Sequence, residues 1–199
     1  MRLARAWFDF FSIQDPPHPA DAIFVLAGRP ERKTYGLRLW REGLAPTLVL
    51  SVARFEWRRF PELGLRDDGG LAALAPKVEP KKRHFFVTLT GAKTACAPVQ
   101  LGRFGTLSEA RIVAEVARSA GWRSVLVISN APHLRRSALA FQRSLRGCGI
   151  ECFFTAVPEE MSSVKREDWW RHPRPRKMVL LEMPKLAVYR LVLVFMKLT

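Results

Sequence analysis

Ser124-Val125-Leu126-Val127-Ile128-Ser129-Asn130-Ala131-Pro132-His133 is the stretch on which the fold turns. Its first half is a short run of β-branched and large aliphatic residues with no polar face, the pattern of a strand buried on both sides in a parallel sheet. Asn130 is a favoured N-cap, and Pro132 fits a first helical turn, where a missing N–H costs little. The spacing therefore predicts a helix that starts at the carboxyl end of the strand. Within it Leu134, Ala138, Phe141 and Leu145 recur at i, i+4, i+7 and i+11 and mark the face packed on the sheet. At about 100° per residue, His133 and Arg136 fall on the other, exposed side of the first turn, near unpaired N–H groups that favour an anion. A merely solvated surface would carry the same two residues.

A second helix start lies upstream. Gly105-Thr106-Leu107-Ser108-Glu109-Ala110 reads as a capping box, in which Thr106 and Glu109 satisfy each other's end of the helix. Ala110, Val113, Ala114 and Ala117 give the helical period, and Gly121 ends it. A carboxylate at that helix start suits a ligand hydroxyl or amine better than a bare phosphate. Placed at strand ends, Thr106, Glu109, Asn130, His133 and Arg136 would share one rim of an α/β sheet, which is where open α/β folds bind ligands.

The order of strand and helix patterns alternates, so the expected fold class is α/β, with a mainly parallel sheet flanked by helices in three layers. A chain of 199 residues, 48% hydrophobic, can bury a core without metals or disulfides, and residues 1–199 are expected to form a single domain. Residues 1–19 form an aromatic and basic lead-in, and residues 54–100 look like a variable insertion. That insertion holds the turn signal Asp67-Asp68-Gly69-Gly70, a basic linker from Pro76 to Arg83, and a strand pattern from His84 to Thr90 with no evident partner strand.

Several chemistries lack their signatures. Cys148 and Cys152 are one Cys-x-x-x-Cys without a second pair, so with Cys96 they read as small core residues in a reducing compartment. His18, His84, His133 and His172 are dispersed. There is no nucleophile elbow, no Walker loop and no Gly-x-Gly-x-x-Gly, since Gly28 is followed by Arg29-Pro30.

The net charge of +15, with 24 Arg among 33 basic residues, would attract nucleic acid or an anionic membrane surface. No helix-turn-helix, RRM, KH or zinc-finger pattern supports the first. For the second, Met1 to Ile13 mixes Arg2 and Arg5 with Trp7, Phe8, Phe10 and Phe11, as an interfacial helix does, although it is too short and polar for a signal peptide or a span. Leu186 to Met196 is apolar but interrupted by Arg190 and falls short of the ~20 residues a span needs. The expectation is that the two ends pack on each other or on the sheet, and that Trp169 and Trp170 cover an edge of the core.

These motifs, taken in order, resemble the YdcF-type family of bacterial domains that includes SanA and ElyC, over roughly Ala20 to Arg190. Ala20 to Gly28 resembles its opening strand, with Ala27 in place of the first of two glycines. Arg32 matches the Arg that follows, and Gly43-Leu44-Ala45-Pro46 with Thr47 to Ser51 matches its second strand. After Ser51 the family often has two glycines where this chain has Val52-Ala53. Thr106-x-x-Glu109 and His133-x-x-Arg136 fall on its two helix starts, and Asp168-Trp169-Trp170 and Glu182-Met183-Pro184-Lys185-Leu186 resemble a pattern of one branch.

The resemblance implies a Rossmann-like fold and a ligand-binding set of Gly28, Arg32, Ser51, Thr106, Glu109, Asn130, His133 and Arg136. His133 and Glu109 are the catalytic candidates, and no metal is expected. Family links to S-adenosylmethionine and to envelope integrity imply a small anionic or nucleotide-like ligand, such as S-adenosylmethionine or a phosphorylated envelope intermediate. That makes a cytoplasmic protein with a role in envelope biogenesis the leading expectation. A non-catalytic accessory protein on the inner membrane surface and a non-specific nucleic-acid binder are the alternatives.

Overall fold

A computed structural model of the chain describes residues 1–195. Six strands form one sheet in the order β4-β3-β2-β1-β5-β6: β1 (Ala22–Val25), β2 (Thr47–Ala53), β3 (His84–Thr90), β4 (Lys93–Pro98), β5 (Ser124–Ser129) and β6 (Glu151–Ala156). The strands β2, β1, β5 and β6 run parallel, with Phe24 opposite both Val49 and Val127. The remaining two are antiparallel. β3 pairs along the whole of β2, from Thr47↔Thr90 to Ala53↔His84, and β4 folds back on β3 through a two-residue turn at Gly91-Ala92.

The sheet is therefore less uniformly parallel than the alternating pattern predicts. The His84–Thr90 pattern finds its partner in β2, and the unforeseen β4, with its Ala-rich and largely exposed residues, forms the edge. Val52 and Ala53, in place of flexible glycines, let β2 run on and pair with Phe85 and His84.

Helices cover both faces. On one, α2 (Pro30–Arg41) packs Tyr35, Leu37 and Leu39 with Ile23, Val25, Leu48, Leu50, Leu126 and Ile128. The fit is close at Gly36, where an added Cβ would lie 2.3 Å from the Val25 Cγ2, so only glycine lets the helix settle there. On the other face, α4 (Gly105–Ala120) and α5 (Ala131–Leu145) pack Leu107, Val113, Leu134 and Phe141 against Phe24, Val49, Val127 and Phe154. Between β2 and β3 the chain makes a 3₁₀ segment, Glu56–Leu63, and the short α3 (Leu71–Leu74).

Both ends of the chain fold over α5. α1 (Arg2–Phe11) buries Phe8 and Phe11, and α6 (Pro173–Phe195) buries Val179, Glu182, Leu186, Tyr189 and Leu193. Phe8, Val164, Trp169 and Val179 form a small apolar cluster that ties the two ends together, with the Trp169 indole N–H donating to the Ala4 carbonyl at 3.1 Å. Two of the aromatic residues that gave the lead-in its interfacial look, Phe8 and Phe11, are thus spent on packing. No helix among the described residues is long and apolar enough to cross a membrane, and Met196, the end of the second apolar stretch, lies outside them.

Candidate functional site

The chain leaves β1 towards β2 on one side, while β5 lies on the other, so the order of strands reverses between β1 and β5. Open α/β sheets form a ligand crevice at such a point. Ala27 and Gly28 follow β1 there, and Asn130 follows β5. Arg32, one turn into α2, bridges them: its Nε donates to the Asn130 Oδ1 at 2.6 Å and its Nη1 to the Ala27 carbonyl at 2.5 Å.

Asn130 does hold the N-cap position of α5, but its side chain makes no capping bond and serves Arg32 instead. Arg32 is 5% exposed and makes no ion pair among the described residues. Burial depresses its pKa to about 10, with Glu56, Glu109, Glu31 and Glu182 opposing from a distance. It remains a cation at neutral pH, desolvated and without a carboxylate in contact, which is a costly state for a buried guanidinium.

His133 and Arg136 are not on an exposed face. They are 9% and 7% exposed, with α1 and α6 both packed on α5 and Glu182 and Tyr189 of α6 set against Arg136. The local period reported the sheet face correctly and had no means of reporting a second cover. His133 Nδ1 lies 2.8 Å from the Ser129 Oγ, and its Nε2 has no hydrogen-bond partner among the described residues. Burial, then Arg136, Arg32 and Lys185, hold its pKa well below the usual histidine value, so the ring is neutral.

Arg136 is tied down. It grips Glu182 of α6 in a two-pronged pair at 2.8 and 3.3 Å, donates to the Thr106 Oγ1 at 3.0 Å, and lies over the Tyr189 ring at 5.0 Å from its centre. Glu182 is 2% exposed and also accepts from the Lys185 Nζ at 3.3 Å. The arrangement straps α5 to α6 and α4, and it leaves Arg136 little charge to offer a ligand.

The capping box does not form. α4 begins at Gly105, with Phe104 in the cap position, so Thr106 sits inside the first turn and Glu109 a full turn in. Ser108 takes the local role, accepting from the Gly102 N–H at 2.9 Å. Glu109 points under the sheet end instead, accepting from the Ser51 hydroxyl at 2.6 Å and the Ala27 N–H at 3.3 Å. Since Ser51 has one proton and gives it to Glu109, the His84 Nε2–H must donate to the Ser51 Oγ, 2.6 Å away. Burial alone would raise the Glu109 pKa, but the nearby His84, its Nε2 3.7 Å from the carboxylate, and the bonds from Ser51 and the Ala27 N–H outweigh it and hold the carboxyl below the usual range. The result is a buried hydrogen-bonded chain, His84 to Ser51 to Glu109.

A fourth group was not foreseen either. Glu56 accepts from the Gly28 N–H at 2.6 Å and pairs with the buried Lys33. Gly28, at φ 132°, has the Arg32 Nη1 2.9 Å from where a Cβ would sit, so the turn is closed around the guanidinium. A cavity of about 220 Å³ lies beside this corner, bounded by Gly28, Lys33, Glu56 and Phe60.

No protein-family model, curated protein or solved structure matches this chain.

Of the eight residues read from sequence as a ligand set, the structure gathers all of them at the strand ends, in two groups. Gly28, Arg32, Asn130 and His133 lie at the carboxyl ends of β1 and β5, the last three of them buried, whereas Ser51 is bonded to Glu109 and Thr106 to Arg136. His84, Glu56 and Glu182 bond to these residues and were missed as site residues. The only sequence signal for His84 was its place at the head of a strand pattern.

Proposed function

We propose that the chain is a Rossmann-like, YdcF-type domain that binds a small anionic or nucleotide-like ligand in the crevice between the carboxyl ends of β1 and β5. The observation that carries this reading is Arg32, a buried guanidinium whose partners are two neutral oxygens. A phosphate or carboxylate would supply the missing counter-charge in a bidentate geometry. Neutral His133, with its Nε2 unengaged, would exchange one hydrogen bond or proton with a ligand hydroxyl or amine. S-adenosylmethionine and phosphorylated envelope intermediates, the ligands implied by the family resemblance, both carry an anionic group for Arg32. The three free cysteines agree with a reducing, cytoplasmic setting.

The test is a thermal-shift screen of nucleotides, S-adenosylmethionine and sugar phosphates on wild type, Arg32→Gln and His133→Asn. A ligand at about 100 times its Kd adds ~2.7 kcal/mol, or roughly 5–10 °C for a chain of this size. The shift should vanish in Arg32→Gln and shrink in His133→Asn. Equal shifts in all three proteins, or none in wild type with any ligand class, would refute the reading.

A further inference from the structure

α6 packs on one side only. Opposite its buried face, Leu180, Leu181, Val188, Leu191, Val194 and Phe195 are between 40% and 65% exposed. At about 100° per residue they form a stripe about 140° wide that runs from Leu180 to Phe195. Lys185 falls just beyond one edge of the stripe and Arg190 just beyond the other, both exposed. Arg174, Arg176 and Lys177 are exposed at the amino-terminal end. The single acidic residue of the helix, Glu182, is buried against Arg136.

The same pattern continues into the flanking grooves. On one side Leu139, Arg143, Arg146, Arg190 and Val194 border a hollow of about 530 Å³. Across the helix, Arg103, Phe104, Leu181, Lys185 and Val188 border another of about 530 Å³. Neither hollow has an acidic residue in its lining.

From this ridge and its edges we infer that α6 docks in the plane of an anionic lipid bilayer, with the apolar stripe among the acyl chains and the cations at headgroup level. The charge is complementary to such a surface, both on this face and over the whole chain at +15. Lys185 and Arg190 stand where their long stems follow apolar surface while their charged ends reach phosphate. A second copy of the chain fits poorly, since pairing α6 with itself sets Lys185 and Arg190 against their own kind. Nucleic acid would satisfy the cations and leave the apolar ridge in water. The helix lies on the membrane and does not cross it.

The experiment is flotation of the full chain with vesicles of phosphatidylcholine alone or with about one-third phosphatidylglycerol, at low and at roughly 0.5 M salt. Wild type should float with the anionic vesicles only, and less at high salt. Val188→Asp/Leu191→Asp should abolish flotation, and Lys185→Ala/Arg190→Ala should weaken it roughly tenfold to 30-fold. Val188 and Leu191 are exposed, so the first pair should keep the wild-type melting temperature; Lys185 also donates to Glu182 at 3.3 Å, so the second should melt up to about 4 °C lower, the equivalent of about 1 kcal/mol. Should the first pair fail to fold, the second still carries the test.

The inference is overturned if wild type stays with the buffer, if it floats equally on neutral vesicles, or if both pairs float as wild type does. A salt-stable dimer that Val188→Asp/Leu191→Asp converts to monomer would overturn it in favour of self-association. Val188→Asp/Leu191→Asp leaves Arg32 and His133 untouched, so its rim ligand response reports on the other proposal separately.

Discussion

Replacing Glu182 by Gln removes one negative charge from the strap that holds α6 to α5 and keeps its shape. Arg136 stays charged, buried, and short of its partner. Breaking a buried pair in this way costs about 3–5 kcal/mol, mainly through the charge left uncompensated. Two features here hold the loss near the lower figure: Thr106 keeps its hydrogen bond at 3.0 Å, and the Tyr189 ring still faces the guanidinium at 5.0 Å. We expect about 3 kcal/mol, read in urea unfolding as a lower midpoint at unchanged m, and as a fall of roughly 6–12 °C in Tm. Arg136→Met/Glu182→Leu, which removes both charges, should lie within about 1 kcal/mol of wild type, because the desolvation cost goes with the attraction. If Glu182→Gln costs under ~1 kcal/mol, or if the double variant is as unstable as the single, Arg136 is not neutralised as described and its role as a strap fails.

Two further outcomes follow from the rim. His133 is neutral when folded because its pKa lies well below 6.5, so the unfolded chain takes up a proton that the folded one refuses. Stability should therefore fall as pH drops below about 6.5, by ~1.4 kcal/mol per pH unit at most; His133→Gln should flatten that limb while sparing the steeper loss below about 4.5, where Glu109 and other carboxylates protonate, and parallel curves would refute it. Gly28→Ala places a Cβ 2.9 Å from the Arg32 Nη1 at φ 132°, whereas Gly43→Ala, at φ 84°, meets nothing within 4 Å. Both should lose stability, about 1–3 kcal/mol for the first, but only Gly28→Ala should lose the thermal response to ligand.

What could be read in the sequence was what neighbours along the chain determine. The β5 to α5 passage is local: a two-sided apolar run, then a cap, then a helical stripe, each fixed by residues within a few positions. The burial of Arg136 is not local, because it depends on α6 returning from more than 40 residues away, as the Arg136–Glu182 pair does across a separation of 46. Thr106 and Glu109 show the same limit in another form. Their spacing fits a capping box, yet a helix start moved to Gly105 left Thr106 inside the first turn and sent the carboxylate to Ser51, 58 positions away. His84 gave no chemical hint, since a histidine at the head of a strand joins a buried hydrogen-bonded chain only when antiparallel pairing brings it beside Ser51.

The antiparallel half of the sheet also separates two tasks. Strands β2, β1, β5 and β6 with their helices hold Arg32, Asn130 and His133, while residues 54–100 leave the end of β2 and return beside it, bringing Glu56 to the Gly28 turn and His84 to Ser51. One contiguous stretch thus trims a socket that the rest of the chain builds. Exchanging that stretch for another of equal span would change the groups set against the Gly28 turn and Ser51 while Arg32, Asn130 and His133 keep their frame, so under the proposed function a change of ligand would be a single editing event and not a redesign.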